Sequence, residues 1–126
     1  VTAGETRPVA LVVVSHSNLL ARGIAELAGQ MTGGTVPIRP IGGAEDSSLS
    51  TSAPRIEQAL QELLDMGHDV LVLLDLGSAT MNTSLALELL PEDQRARVRV
   101  ADAPLVEGAV LAAVSAAGGR SRQRGP

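Results

Sequence analysis

Two polar clusters in this 126-residue chain each follow directly on an apolar run. Ser15-His16-Ser17-Asn18 comes after V-A-L-V-V-V at residues 9–14, and Asp75-Leu76-Gly77-Ser78 comes after V-L-V-L-L at residues 70–74. An imidazole beside a carboxylate makes a nucleophilic pair. The carboxylate holds one ring nitrogen, fixes the tautomer and stabilises the positive charge that grows when the other nitrogen attacks an electrophile. His16 and Asp75 are the candidates for that pair, provided the two apolar runs are neighbouring strands. Ser17, Gly42-Gly43, the Ser50-Thr51-Ser52 cluster and Gly77-Ser78 could supply the hydroxyl and backbone N–H donors that a phosphoryl group needs. Arg22 and Arg55 are only loosely placed, so no charged clamp is evident. That suits a group which is accepted and then given away.

Taken singly, these residues have ordinary structural uses. Ser15, Ser17 and Asn18 would cap the helix that follows them. Asp75 reads alone as a turn or cap residue, and Gly42-Gly43 as a loop-shaping pair. Asp102 reads as a strand-end cap. The other histidine, His68, follows Gly67 at a helix end and reads as a C-terminal cap complementing the dipole. Only the meeting of His16 with Asp75 across two strand ends favours chemistry.

The elements needed to bring them together are legible. Uninterrupted β-branched runs read as strands buried on both faces, as in a parallel sheet under helices. The first strand is expected over 8–14 and a helix over 18–31, with Leu20, Ile24, Leu27, Ala28 and Met31 as its buried face and Gly33-Gly34 ending it. A second strand near 36–41 contains Pro37 and Pro40 and therefore belongs at an edge. After a long polar loop, Thr51 or Ser52 caps a helix with Pro54 in its first turn, Ile56, Leu60, Leu63 and Leu64 as its buried stripe, and Gly67 at its end. The third strand, 69–74, suits the centre of the sheet, and a helix over 79–90 stops at Pro91. A short polar turn leads to an edge strand at 98–101. A last helix, with Val106, Val110, Val114 and Ala117 on one face, is closed by Gly118-Gly119. The fold class is α/β: a parallel doubly wound sheet with helices on both faces. Residues 1–119 are expected to form one domain and 120–126 a disordered tail. In such sheets ligands bind in the crevice outside the carboxyl ends of the strands.

Composition excludes much else. Apolar residues make up 44% of the chain, but there is no Phe, Tyr or Trp to stack a base or a flavin. A net charge of −4 argues against nucleic acid as a partner. All ten basic residues are arginine, so a P-loop lysine and Schiff-base chemistry are ruled out. The absence of cysteine removes thiol catalysis, disulfides and thiolate metal sites. Nothing reads as a signal peptide or a membrane span, and a cytoplasmic protein with no membrane association is expected.

The ordered set V-V-S-H-S-N-L-L-A-R-G, G-G-A-E-D, T-S, D-L-G-S-A-T-M-N and D-A-P-L-V-E-G-A resembles the phosphotransferase subunit of phosphoenolpyruvate-dependent dihydroxyacetone kinase. That family shares its fold with the IIA domains of mannose-type sugar phosphotransferase systems. The resemblance spans Pro8 to Gly118. It implies that His16 is the phosphorylated histidine and Asp75 the carboxylate that orients it. It further implies a histidine-containing phosphocarrier protein as donor, and as acceptor ADP held on a partner kinase subunit, which then phosphorylates dihydroxyacetone. A homodimer is implied too. The chain itself would bind no cofactor and no metal, carrying only the phosphoryl group on His16, with ADP/ATP on the partner. Where the family has Gly-Thr-Ser before the second helix, this chain has Ser50-Thr51-Ser52. The Thr-His-Gly and Gly-Gly-Ser-Pro patterns of the mannose-type relatives are missing, which favours the kinase subunit over a sugar-transporter component.

Two alternatives stand beside this reading. One is a mannose-type IIA component delivering phosphate to a transporter. The other is a regulatory module that docks according to its phosphorylation state. A response-regulator receiver does not fit, because it needs an acidic pair after the first strand and a lysine near the last.

Overall fold

Valine and leucine runs with no polar break decide the centre of the sheet. The computed structural model describes residues 7–43, 52–75 and 77–123, with backbone alone at 77, 78 and 120–123. Strand β1 (Val9–Ser15) and strand β3 (Asp69–Leu74) lie side by side, paired in parallel from Val9↔Asp69 to Val14↔Leu74. Ala10 to Val14 are completely buried, each valine or leucine contributing roughly 1.5–3 kcal/mol through removal from water. Strand β2 (Ile38–Gly42) flanks β1 and strand β4 (Val98–Val100) flanks β3, so the order is β2-β1-β3-β4 and every pair is parallel. β2 begins two residues later than the pattern suggested. It is an edge strand, as its prolines require, and Pro40 lies opposite Val13.

Chain order runs from β1 outward to β2 and then back across to β3 on the other side. Helices on the two crossovers therefore cover opposite faces. On one face, helices α2 (Ala53–Asp65) and α3 (Gly77–Glu88) pack Ile56, Leu60, Leu63, Leu64, Ala79 and Ala86 against Ala10, Val12, Val14, Val70 and Val72. On the other, helices α1 (Asn18–Met31) and α5 (Leu105–Gln123) cover Leu11, Val13 and Leu73. The doubly wound reading of the sequence describes this arrangement. A one-turn helix, α4 (Glu92–Arg95), occupies what reads in sequence as a polar turn.

The inward faces of α1 and α5 differ from the sequence expectation. In α1 the buried residues are Ala21, Ile24 and Ala28, whereas Leu20 and Leu27 are 42% exposed and Met31 58%. In α5 the buried positions are Ala109 and Ala113, with Val106 and Val114 facing out. The cause is close approach. α1 and α5 lie against each other as well as against the sheet, and a Cβ on Gly108 would stand 3.1 Å from both Ala103 Cβ and Leu73 Cδ2. Alanine permits that spacing; leucine and valine would hold the helices off.

Helix ends also carry corrections. α3 starts at Gly77 rather than Ala79, which puts Gly77-Ser78 in its first turn. α5 does not stop at Gly118-Gly119. Neither glycine takes the positive φ that terminates a helix, and helical backbone continues to Gln123, into the expected disordered tail. α2 does end at Gly67, whose φ is +94°, with the His68 N–H donating to the Leu63 carbonyl. The His68 ring is not the dipole's complement: its Nδ1 lies 3.2 Å from the Pro8 carbonyl oxygen, at the start of β1. Arg97 meets the end of α2 instead, donating to the carbonyls of Leu64 and His68 at 2.9 and 2.7 Å. Among the described residues, no helix is long and apolar enough to cross a membrane.

Candidate functional site

β1 and β3 finish together, and the ladder extends one step past them through a bond from the Asp75 N–H to the Val14 carbonyl at 3.2 Å. That step brings Asp75 against the residues following Val14. Asp75 Oδ1 lies 3.0 Å from His16 Nδ1. Asp75 Oδ2 accepts from the Ser15 hydroxyl at 2.8 Å and from the His16 backbone N–H at 2.9 Å. The imidazole and the carboxylate are 19% and 13% exposed as side chains, so the pair is sheltered yet reachable. Both oxygens of the carboxylate are thus turned towards the end of β1, and the ring orientation follows from that grip.

Helix α1 starts immediately behind the histidine. Ser17 is its N-cap, with φ −105° and ψ 120°, and its hydroxyl accepts from the Leu20 N–H at 3.2 Å. The Ser17 N–H donates to Ser15 Oγ at 3.0 Å. Neither α1 nor α3 carries an acidic side chain in its first turn. The positive ends of both helix dipoles thus lie near the strand ends with Asp75 between the strands and the helices, a setting that favours negative charge.

Gly42 and Gly43, expected to cradle phosphate, each have a structural reason to be glycine. Gly42 is paired with Ser15 in register and is buried. A Cβ there would fall 2.7 Å from the Ser17 carbonyl oxygen and 2.8 Å from Asn18 Cα. Its smallness lets β2 approach the start of α1. Gly43 has φ +65°, and its carbonyl accepts from the Arg55 guanidinium. Gly42→Ala is expected to cost about 1–3 kcal/mol by forcing the first turn of α1 away from the sheet. Urea unfolding checks this, and a midpoint equal to the parent's would mean that the turn yields without strain.

Of the other expected residues, Ser52 caps α2, accepting from the Arg55 N–H at 3.5 Å. Thr51 and Ser50 lie outside the described residues, and Gly77 and Ser78 are described by backbone alone. Asp102 follows β4 on the far edge and is exposed, well removed in strand order from β1. The structure therefore gathers His16, Asp75, Ser17 and Gly42, and does not bring Asp102 into the cluster. Arg55 is more firmly placed than its sequence position suggested. Its signal was a cation in the first turn of the helix after the polar loop. Ser15 is completely buried on the carboxylate, where sequence suggested a helix cap.

Comparisons with known proteins agree with this architecture. The EIIA-man family model, described as the PTS system fructose IIA component, matches residues 10–124. The phosphoryl donor subunit DhaM of the PEP-dependent dihydroxyacetone kinase of Escherichia coli K12 is 43% identical over 114 residues, covering 88% of this chain and 24% of that protein. The phosphoryl donor subunit DhaM of PEP-dependent dihydroxyacetone kinase 2 of Listeria innocua is 38% identical over 106 residues, 84% of each chain. A solved structure, that of unknown function protein EF1359, superposes with a TM-score of 0.79 at 37% identity, covering 86% of this chain and 82% of that one. The chain thus spans 24% of the length of the first curated relatives it matches, and most of the shorter Listeria protein. A match across nearly the whole chain to the family model, and across most of both chains to a DhaM protein, shows that it belongs to the EIIA-man family, among the DhaM proteins.

Proposed function

We propose that this chain is a phosphohistidine carrier, taking a phosphoryl group from a histidine-containing phosphocarrier protein and passing it to ADP held on a dihydroxyacetone kinase subunit. The observation that carries the reading is the 3.0 Å approach of Asp75 Oδ1 to His16 Nδ1 at the carboxyl ends of adjacent central strands. With Nδ1 engaged by the carboxylate, attack falls to Nε2. Its lone pair forms a bond to the donor's phosphorus in line, the donor's P–N bond breaks, and that electron pair returns to the donor's imidazole. The charge gained by the His16 ring is offset by Asp75. In the second step a terminal phosphate oxygen of ADP attacks the same phosphorus, ATP forms on the partner, and Nε2 recovers its pair. Positioning and electrostatics supply most of phosphoryl-transfer catalysis, so this chain acts as a phosphotransferase by holding two groups correctly. Ser17, Gly43, Thr51, Ser52, Gly77 and Ser78 remain the proposed neighbours of the phosphoryl oxygens, with Gly42 setting the spacing. The same reading makes the carrier a cytoplasmic homodimer. The DhaM relatives, phosphoryl donor subunits of PEP-dependent kinases, support the donor role.

The test is reconstitution with phosphoenolpyruvate, enzyme I and the phosphocarrier protein. Intact mass is expected to show one acid-labile, base-stable phosphoryl group, and NMR of the labelled protein is expected to identify the Nε2 isomer. A chase with the ADP-loaded kinase subunit should then remove it. Since the family model is described as a fructose IIA component, discharge to a sugar-transporter component and not to ADP would move the assignment there. A Nδ1 adduct would overturn the proposed geometry, and no adduct at all would overturn the carrier reading.

A further inference from the structure

The most constrained polar group at the strand ends is the Ser15 hydroxyl, whose residue is completely buried. It accepts from the Ser17 N–H at 3.0 Å and stands 2.8 Å from Asp75 Oδ2. A hydroxyl has one proton to give, and an N–H can only donate. The Ser17 bond therefore fixes the sense of the other: the Ser15 proton points at Asp75. The His16 backbone N–H, at 2.9 Å, also points at Oδ2. Two donors on Oδ2 fix how the carboxylate is turned and leave Oδ1 facing His16 Nδ1 at 3.0 Å. An ionised carboxylate only accepts, so in a neutral ring the proton between Oδ1 and Nδ1 sits on Nδ1.

We propose that Ser15 is a positioning residue for the transfer. By donating to Asp75 Oδ2 while accepting from the Ser17 N–H, it holds the carboxylate turned so that Oδ1 meets Nδ1, and so maintains the His16 tautomer that presents Nε2 as the nucleophile. The relay runs from the Ser17 N–H, through the Ser15 hydroxyl and the Asp75 carboxylate, to the Nδ1 proton. It links the start of α1 to the imidazole without Ser15 touching the ring or the phosphoryl group. This role rests on the carrier reading only for its consequence in rate, since the tautomer is a property of the resting protein.

The test has two arms. In the first, ¹⁵N NMR of the imidazoles in the parent chain at neutral pH is expected to show His16 chiefly as the Nδ1–H form. Ser15→Ala is expected to shift it towards a mixture with the Nε2–H form. A parent with mostly Nε2–H overturns the proposal before any variant is made, as does a Ser15→Ala chain with the parent's tautomer. In the second arm, Ser15→Ala is expected to slow phosphoryl acceptance about tenfold, the effect of losing one hydrogen bond to a charged group. The same change added to Asp75→Ala should cost nothing further. Equal losses in both backgrounds would show that Ser15 acts otherwise than through Asp75. Should Ser15→Ala fail to fold, Ser15→Cys, which keeps a weaker donor of similar size, is expected to give an intermediate tautomer ratio. A parent-like ratio in that variant would count against the proposal. A Ser15-dependent tautomer in a protein that accepts no phosphoryl group would defeat the carrier reading and leave this relay standing.

Discussion

A chain carrying His16→Ala is expected to take up no phosphoryl group from the phosphocarrier protein, and to unfold within about 1 kcal/mol of the parent. The loss is expected to be complete because the nucleophilic side chains described around His16 are otherwise committed. The Ser15 hydroxyl is buried and committed to Asp75. The Ser17 hydroxyl caps α1. His68 holds its Nδ1 against the Pro8 carbonyl at the opposite end of β1. Stability is largely spared because the imidazole belongs to neither core cluster and Asp75 keeps the Ser15 hydroxyl and the residue 16 backbone N–H as donors. Intact mass after the phosphoenolpyruvate-driven reaction, with a thermal melt beside it, checks both halves. Label retained on the variant would remove His16 from the mechanism.

Asp75→Asn is expected to be worse than Asp75→Ala, which inverts the usual ranking of conservative and drastic changes. The two donors that meet Oδ2, the Ser15 hydroxyl and the His16 N–H, will select the amide oxygen of an asparagine. The amide NH₂ is then turned towards His16 Nδ1, which must accept. The ring proton is driven to Nε2, the nitrogen that has to attack. A wrong tautomer enforced in this way cost about 10⁴-fold in a well-studied serine protease triad, and a loss of about 10³–10⁴ is expected here. Asp75→Ala leaves the ring unoriented but free to tautomerise, and should cost about a hundredfold. Single-turnover acceptance rates for the two variants decide the matter. An asparagine variant faster than the alanine variant would mean that the carboxylate acts by its charge and not by choosing the tautomer.

The candidate site was legible because its two main residues come within two positions of the end of unbroken apolar runs. Such β-branched runs read as central parallel strands, and the residues just after them are delivered to the same crevice. The edge positions of β2 and β4 were equally plain, one from its prolines and the other from its alternating character. The inward faces of α1 and α5 were not. Each helix carries two apolar stripes, one of small residues and one of large, and periodicity cannot say which faces the sheet. The close seating of Gly108 on Leu73 and Ala103 decides for Ala109 and Ala113, a tertiary fact with no local trace. The packing role of Gly42 was hidden for a related reason. A glycine at a strand end reads as a loop or phosphate residue, and its contact with Ser17 and Asn18 depends on how β2 lies beside β1. Arg55 and Ser15 were underweighted because a lone arginine and a lone serine are common at helix starts.

A core assembled entirely from aliphatic side chains has a practical side. With no Phe, Tyr or Trp, the imidazoles of His16 and His68 are the molecule's only aromatic rings. They mark the two ends of one strand, His16 at the carboxyl end of β1 and His68 at the Pro8 carbonyl just before its amino end. The downfield region of a proton spectrum therefore contains a reporter on the transfer chemistry and an internal reference for the fold, with no other ring to obscure either. A shift of the His16 resonances alone is expected to register a phosphoryl group arriving, and a shift of both to register the strand between them coming apart.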